Sequence, residues 1–375
     1  MKLIKQSFRK PRNYYMALLT EALWPLLRLY CALCLPKPKP MAQWKKVLIL
    51  GDSHIGDILY RTHCFPKLAS SFPCTTFYYL TEPGNAEILE NNPFCIPLAL
   101  RTNDHGTLTD DNLKVLRKHD FDAVFLTNTV HHVRDLKVAV KLKVGVRVGF
   151  IFKGLSALIT HPIHISFPNA FPSYYSDFTA QITNTNPDWN LRPILYPSPS
   201  HLKTATEQWN RVKHLGPNIL AAFITSRQKS GVWPSEAFAE TLVELKKMVS
   251  VNLVLCGAKS DETVLNKINE QYNLGATILA GQLSLLGMCA FLKNVDLVFT
   301  TDSGPRHIAN AANVPVVFVR NIWFKREEAG IYCDSETDLC GSIELVNPED
   351  QIEPRFGIDI YAAASKIASL LQKPK

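Results

Sequence analysis

The chain has 375 residues, 46% hydrophobic and 20% charged, which is the balance of an ordinary globular protein and longer than one hydrophobic core usually serves, so two domains are expected. The net charge of +8 is not spread evenly: residues 1 to 46 hold ten Lys or Arg against Glu21 alone, a segment charge of +9 that leaves −1 for the rest. A nucleic-acid-binding body is thereby excluded, because phosphate has to be neutralised along the folded binding surface and here the basic excess lies in a tail.

Residues 14 to 35 are rich in Leu, Tyr, Ala and Trp and approach the ~20 residues of a membrane span. Glu21, Pro25 and Arg28 interrupt the run, and basic clusters on both sides remove any orientation signal. A cleaved signal peptide is not expected either, since Leu-Pro-Lys-Pro-Lys-Pro follows Cys34 in place of small residues. At 100° per residue Thr20, Glu21 and Arg28 share one sector, leaving a broad apolar face. That pattern predicts a helix lying in a membrane interface, its Lys and Arg drawn to anionic lipid; the competing reading is a helix packed on the protein's own body. Cys31-x-x-Cys34 lacks the second pair of a four-ligand metal site and reads as two small apolar side chains, and the nine scattered cysteines fit a reducing compartment. Pro36 to Pro40 reads as a short stiff spacer.

From residue 47 β-branched apolar runs alternate with helical patterns, the signature of parallel α/β layers. Strands are predicted at 47–50, 76–80, 123–126 and 144–150, and again at 219–224, 252–256, 277–280, 296–300 and 314–319. Residues 161 to 217, rich in Pro, Asn, Ser and aromatics, show little periodicity and hold the expected linker, and a last helix is predicted over about 359–372. The expected segments are 1–44, 45–200, 201–352 and 353–375.

Three strand ends carry motifs that suit chemistry. Val47-Leu-Ile-Leu-Gly51-Asp52-Ser53-His54-Ile55-Gly56-Asp57 is a buried strand, a turn and a helix beginning near Asp57. Ligands of open α/β sheets bind at such ends, and an acid there can accept a proton from a bound hydroxyl; Asp57 as a mere helix cap fits the spacing equally well. Phe223-Ile-Thr225-Ser226-Arg227-Gln-Lys229 leads to Trp233-Pro234-Ser235, with Ser235 or a neighbour as helix cap, and its hydroxyls and cations suit a pyrophosphate or, as simply, solvent. Thr300-Thr301-Asp302-Ser303-Gly304-Pro305-Arg306-His307 predicts a helix opening at Ser303 and Gly304 whose first N–H groups would stabilise a leaving diphosphate.

Taken in order, these residues resemble glycosyltransferase family 9, the bacterial ADP-heptose:lipopolysaccharide heptosyltransferases. The likeness rests on Ser53-x-x-Gly56-Asp57, on Thr225-Ser226 through Trp233-Pro234, on Cys256-Gly257-Ala258 and, most specifically, on Asp302-Ser303-Gly304-Pro305-x-His307. It implies a GT-B architecture: two Rossmann-like α/β domains with mainly parallel sheets facing across a cleft, acceptor on 45–200 and donor nucleotide on 201–352. It also implies inverting transfer with a nucleotide sugar as co-substrate, no cofactor and no metal. Asp57 then falls on the catalytic base, supported by the Gly56 and Ser53 loop. Thr225, Ser226, Lys229, Asp261, Asp302, Ser303, Gly304 and His307 fall on the donor site. The expected partners are a nucleotide-sugar donor and a lipid-linked or lipopolysaccharide acceptor, and the expected place is the inner face of the cytoplasmic membrane, with peripheral contact through residues 1–40. Two departures matter: the loop before Trp233 is one residue longer, and Arg320-Asn321-Ile322-Trp323 replaces the family's Gly-Pro-Thr. Arg320 there reads either as a contact to diphosphate or a charged sugar or as a cation with a structural role at the surface.

Other classes fit less well. A GDSL-type hydrolase would use Ser53, but none of the eleven histidines has Asp three residues before it. A metal-dependent GT-A transferase would use Asp120-x-Asp122, which precedes a strand and so lies at the wrong end of a parallel sheet. His161-x-x-His164 lacks a third ligand. A transferase using another nucleotide sugar, a GT-B-shaped epimerase and a non-catalytic sugar-nucleotide binder are the remaining contrasts.

Overall fold

The computed structural model describes residues 11–51, 54–101, 108–128, 132–151, 154–165, 170–214, 216–226, 232–322, 326–340 and 355–372. It divides into two units, 1–191 and 192–375.

In the first unit the run Val47 to Leu50 is wholly buried, as a strand covered by helices on both faces must be. It belongs to β1 (Lys46–Leu50), the third of six parallel strands. The others are β2 (Thr76–Thr81), β3 (Ile96–Ala99), β4 (Ala123–Leu126), β5 (Val146–Phe150) and β6 (His161–Ile163), in the order β3-β2-β1-β4-β5-β6. The second unit holds β7 (Ile219–Phe223), β8 (Asn252–Leu255), β9 (Thr277–Ile278), β10 (Leu297–Thr301), β11 (Val316–Val319) and β12 (Glu336–Asp338), in the order β12-β11-β10-β7-β8-β9. Read from the other edge this is the same doubly wound 3-2-1-4-5-6 order, again all parallel. Each sheet therefore has one switch point where the winding reverses, between β1 and β4 and between β7 and β10. Ligands of such sheets sit beyond the carboxyl ends at that point.

All nine predicted strands form. The three that sequence patterning misses, β3, β6 and β12, are sheet edges, with sequences Ile-Pro-Leu-Ala, His-Pro-Ile and Glu-Thr-Asp. A strand with one neighbour needs no continuous apolar run and tolerates proline. Residues 161 to 217 differ more from expectation, because they contain two helices, Phe171–Thr183 and Pro199–Val212. The first buries Tyr174, Tyr175 and Phe178, the last against Phe125 and Phe150 of the sheet, and its aromatic composition hides the helical period. The two compact units divide between residues 191 and 192. Arg192 Nη2 donates to Cys333 Sγ at 2.8 Å and Ser335 Oγ at 2.9 Å, which ties the start of this stretch to the second unit. The last helix, Ile360–Leu371, is capped by Asp359 and packs on helix Ser235–Met248 of the same unit, through Ala364 and Ile367.

The segment before β1 forms two helices, α1 (Pro11–Ala22) and α2 (Trp24–Cys34). Leu27 and Cys31 pack against the first unit's core, so the body-packing reading holds for that side of α2. The opposite side stays exposed.

Candidate active site

In the first unit the chain leaves β1 at Gly51, where a side chain is excluded: an added Cβ would lie 2.9 Å from Arg61 Nε. Asp52 and Ser53 lie outside the described residues. The following helix, Ile55–Thr62, starts two residues before Asp57, with His54 in the cap position in extended backbone. Gly56 is its second residue and Asp57 its third, so capping is not the role of Asp57. The Asp57 side chain is 35% exposed, its Oδ2 lies 3.6 Å from His54 Nδ1, and it stands in the first turn, where the helix dipole favours a carboxylate.

The turn is fixed from beneath by Arg61, a residue that motif reasoning did not select. Its buried guanidinium donates to the Asp57 carbonyl, to Thr127 Oγ1 at 2.9 Å and to the Thr127 carbonyl at 3.2 Å, and it stacks 4.1 Å over the Tyr175 ring. Thr127 follows β4 and donates to the Leu50 carbonyl at 3.0 Å. The ends of β1 and β4 and the Asp57 helix are thus stitched together at the switch point.

In the second unit Thr225 and Ser226 follow β7, and Asp302, Ser303 and Gly304 follow β10, its neighbour across the switch point. Lys229 and Arg227 lie outside the described residues. Ser235, expected as a cap, instead ties its helix to the end of β7 by donating to the Ile224 carbonyl at 2.7 Å, while Pro234 takes the cap position. Helix Gly304–Ala311 begins beside these residues; Pro305 has no N–H and the Arg306 N–H donates to the Ser303 carbonyl at 3.0 Å, so the N–H of the opening residue is that of Gly304. Ser303 Oγ pairs with Thr301 Oγ1 at 2.7 Å.

Asp302 is shaped by an unforeseen partner. Arg306, one turn along, donates to Asp302 Oδ1 at 2.9 Å and, from two nitrogens, to Glu336 at 2.8 and 2.9 Å, with its guanidinium 3.8 Å over the Phe318 ring. Asp302 therefore holds the turn by its ion pair. The Asp302/Arg306 spacing of four was legible; Glu336, thirty residues on, had no signal. His307 is buried, and its Nδ1 pairs with the Tyr332 phenolic hydroxyl at 2.9 Å. Burial, reinforced by the nearby Arg306 charge and opposed by Glu336, pushes its pKa down to about 3, so its imidazole is neutral near pH 7.

Asp261 stands after β8, next to β7 in the sheet. Its Oδ2 accepts the Ala258 N–H at 2.8 Å, while Glu262 pairs with Lys259 at 2.5 Å.

The residues set aside keep structural places. Arg320 does not lie at the surface: it is buried and its Nε donates to Asp338 Oδ2 at 2.9 Å, an ion pair within the second unit. Asp122 lies at the amino end of β4, where Lys39 and the N–H groups of Lys45 and Lys46 bind its carboxylate. Burial raises its pKa, and those hydrogen bonds outweigh that and hold it below the usual carboxylate range. His161 Nδ1 pairs with Thr160 Oγ1 at 2.9 Å. Among the described residues no three of His, Cys, Asp or Glu gather as a metal site.

Residues 180–319 match the family model described as glycosyltransferase family 9 (heptosyltransferase). The chain is 24% identical over 284 residues to the lipopolysaccharide core heptosyltransferase OpsX of Haemophilus influenzae, covering 73% of this chain and 78% of that one. Among solved structures, a family 9 glycosyl transferase from Veillonella parvula superposes with a TM-score of 0.70 at 17% identity, covering 88% of this chain and 98% of that one. The E. coli ADP-heptose lipopolysaccharide heptosyltransferase II gives 0.66 at 17% identity over 87% and 98%. TibC from enterotoxigenic E. coli, described as an iron-containing dodecameric glycosyltransferase, gives 0.51 at 14% over 90% and 77%. The fold is of the GT-B class.

Proposed function

We propose that the chain is a glycosyltransferase of family 9, whose model matches residues 180–319, and that it moves heptose from ADP-heptose onto a lipopolysaccharide core or related glycolipid, with inversion and without a metal ion. The observation that carries this reading is positional. Asp57 follows the strand on one side of the first unit's switch point, and Thr225, Ser226, Asp302, Ser303 and Gly304 flank that of the second.

In the proposed step the Asp57 carboxylate accepts the proton of an acceptor hydroxyl. That oxygen bonds to the anomeric carbon from the face opposite the leaving group, and the bond from that carbon to the diphosphate oxygen breaks with its electron pair leaving on ADP. Developing negative charge is met by the start of helix Gly304–Ala311, by Ser303, Thr225 and Ser226, and by Lys229. Neutral His307 contributes a hydrogen bond rather than a charge. Asp261 is proposed to hold the donor ribose with its second oxygen. A lipid-linked acceptor places the protein at the inner face of the cytoplasmic membrane, in contact with it through residues 1–40.

The test is transfer from ADP-heptose to core-deficient lipopolysaccharide, read as released ADP. Asp57→Asn is expected to lose about a thousandfold or more in kcat while ADP binding and melting temperature persist. Near-normal turnover in that variant overturns the assignment. Activity that survives EDTA supports the metal-free route, and activity lost to EDTA and restored by iron overturns it. Release of ADP with a UDP- or GDP-sugar absent but no heptosylated product identifies the protein as a hydrolase of the donor instead.

A further inference from the structure

Helices α1 and α2, with the spacer that follows them, are clamped to the first unit at both ends of its sheet. At the carboxyl end, the loop after β5 receives them: Glu21 accepts the Ser156 N–H at 2.8 Å and its hydroxyl at 2.5 Å, and Thr20 Oγ1 accepts the Leu155 N–H at 3.3 Å. Gly154 permits this approach, since an added Cβ would lie 2.9 Å from Ala17 Cα, and its φ of +83° suits glycine. Midway, Cys31 Sγ donates to the Ala157 carbonyl at 3.7 Å. At the amino end, a Cβ on Gly145 would meet the Lys37 carbonyl at 2.8 Å, and Lys39 pairs with Asp122. These contacts fix how α2 is rotated. Leu27 and Cys31 face the core, and Leu26, Leu29 and Leu33, at helical spacing, face outward at 64%, 56% and 76% exposure. Tyr15 and Leu19 on α1 and Trp24 at the start of α2 are exposed as well.

Charge identifies what covers that face. The segment's one acid, Glu21, is the residue turned inward onto Ser156, so its negative charge is spent against the body. What the segment leaves exposed is apolar and basic, with Arg28, stacked 5.0 Å over Trp24, on the flank of α2 and Lys37 in the spacer that follows. Among the described residues no helix is long and apolar enough to cross a membrane. We propose that this face seats on an anionic lipid surface, the helix pair lying in the interface and acting as a docking plate rigid with the first unit. The plate reaches the carboxyl end of the sheet at Glu21 and Ser156, the same end from which the Asp57 turn leaves β1. It thereby holds the acceptor side of the first unit at lipid level. This rests on the proposed function only for where the acceptor lies; lipid binding is measurable without any sugar.

The test uses the full chain with vesicles of phosphatidylcholine alone or mixed with phosphatidylglycerol, read by flotation. The wild type is expected to bind the mixed vesicles, more weakly as salt rises, and to leave pure phosphatidylcholine largely unbound. Replacing Leu26, Leu29 and Leu33 together by Ser is expected to weaken binding by roughly tenfold or more, while the circular dichroism spectrum and transfer to a water-soluble acceptor fragment stay unchanged. Arg28→Glu with Lys37→Glu should remove the preference for anionic vesicles. Binding that is equal on the two vesicle types, or unaltered in the triple variant, overturns the proposal. So does a solution dimer that the triple variant dissolves, which would make the face a subunit interface. If vesicles bind but no sugar is transferred, the functional reading fails and the docking plate stands.

Discussion

Asp57 and Asp302 carry the same residue type to strand ends and are used in opposite ways. Asp57 keeps its carboxylate partly exposed beside His54, whereas Asp302 is 6% exposed at its side chain and engaged by Arg306. Buried ion pairs are costly to break singly, because the survivor is left as an uncompensated charge. Glu336→Gln is therefore expected to destabilise the second unit by about 3–5 kcal/mol, read in chemical denaturation, and to weaken ADP binding through the Asp302 turn. His307 makes a pH prediction. Its folded pKa of about 3 lies below the ordinary 6.5, so the unfolded chain takes up the proton first. Its contribution is complete above pH 6.5 and drains as pH falls toward 3. His307→Gln should flatten the loss of stability between those values. A residual slope should remain, since His63, pushed down to about 4 by burial, titrates in the same sense.

At the scale of elements, helix starts matter more than helix lengths. Moving the first turn to Ile55 puts Asp57 inside the helix, and Arg61, one turn on, fastens that helix to Thr127 at the end of β4. Thr127→Val removes the side-chain oxygen that Arg61 Nε and the Leu50 carbonyl both use. Its expected effect is a fall in kcat of about tenfold, with ADP affinity unchanged, since ADP is assigned to the other unit; loss of ADP affinity would refute the positional argument. The C-terminal helix is a packing element. Ile367 is fully buried against the core of the second unit, so Ile367→Ala is expected to cost about 2–5 kcal/mol, measured on that unit's unfolding transition.

At the scale of the whole molecule, each unit has its own sheet and its own core, so unfolding need not be a single step. ADP at a hundred times its dissociation constant should raise the stability of the unit holding Thr225 and Asp302 by about 2.7 kcal/mol and leave the transition of the unit holding Asp57 in place. Differential scanning calorimetry with and without ADP reads this, and an equal shift of both transitions would show that ADP is shared. Net charge works at this scale too: the basic excess is confined to the segment before β1, which is why salt is expected to act on lipid binding and not on the fold.

The amino-acid sequence alone determined the α/β class, the eight inner strands with the edge strand β9, and the three strand-end motifs, because buried parallel strands must be continuous apolar runs and turns at their ends show in Gly, Ser, Asp and Pro. It also placed the basic tail. Only the tertiary structure decided the rest. Edge strands such as Glu336–Asp338 have a single neighbour and no pattern to betray them, and the aromatic helix Phe171–Thr183 is buried on too many sides to show a period. Arg61, Glu336 and Tyr332 act through partners 66, 30 and 25 residues away, a relation that exists only once the strands are side by side. The orientation of the amino-terminal helices was open in the same way: their apolar face was legible, but which side of it meets the body is set by Glu21 finding Ser156.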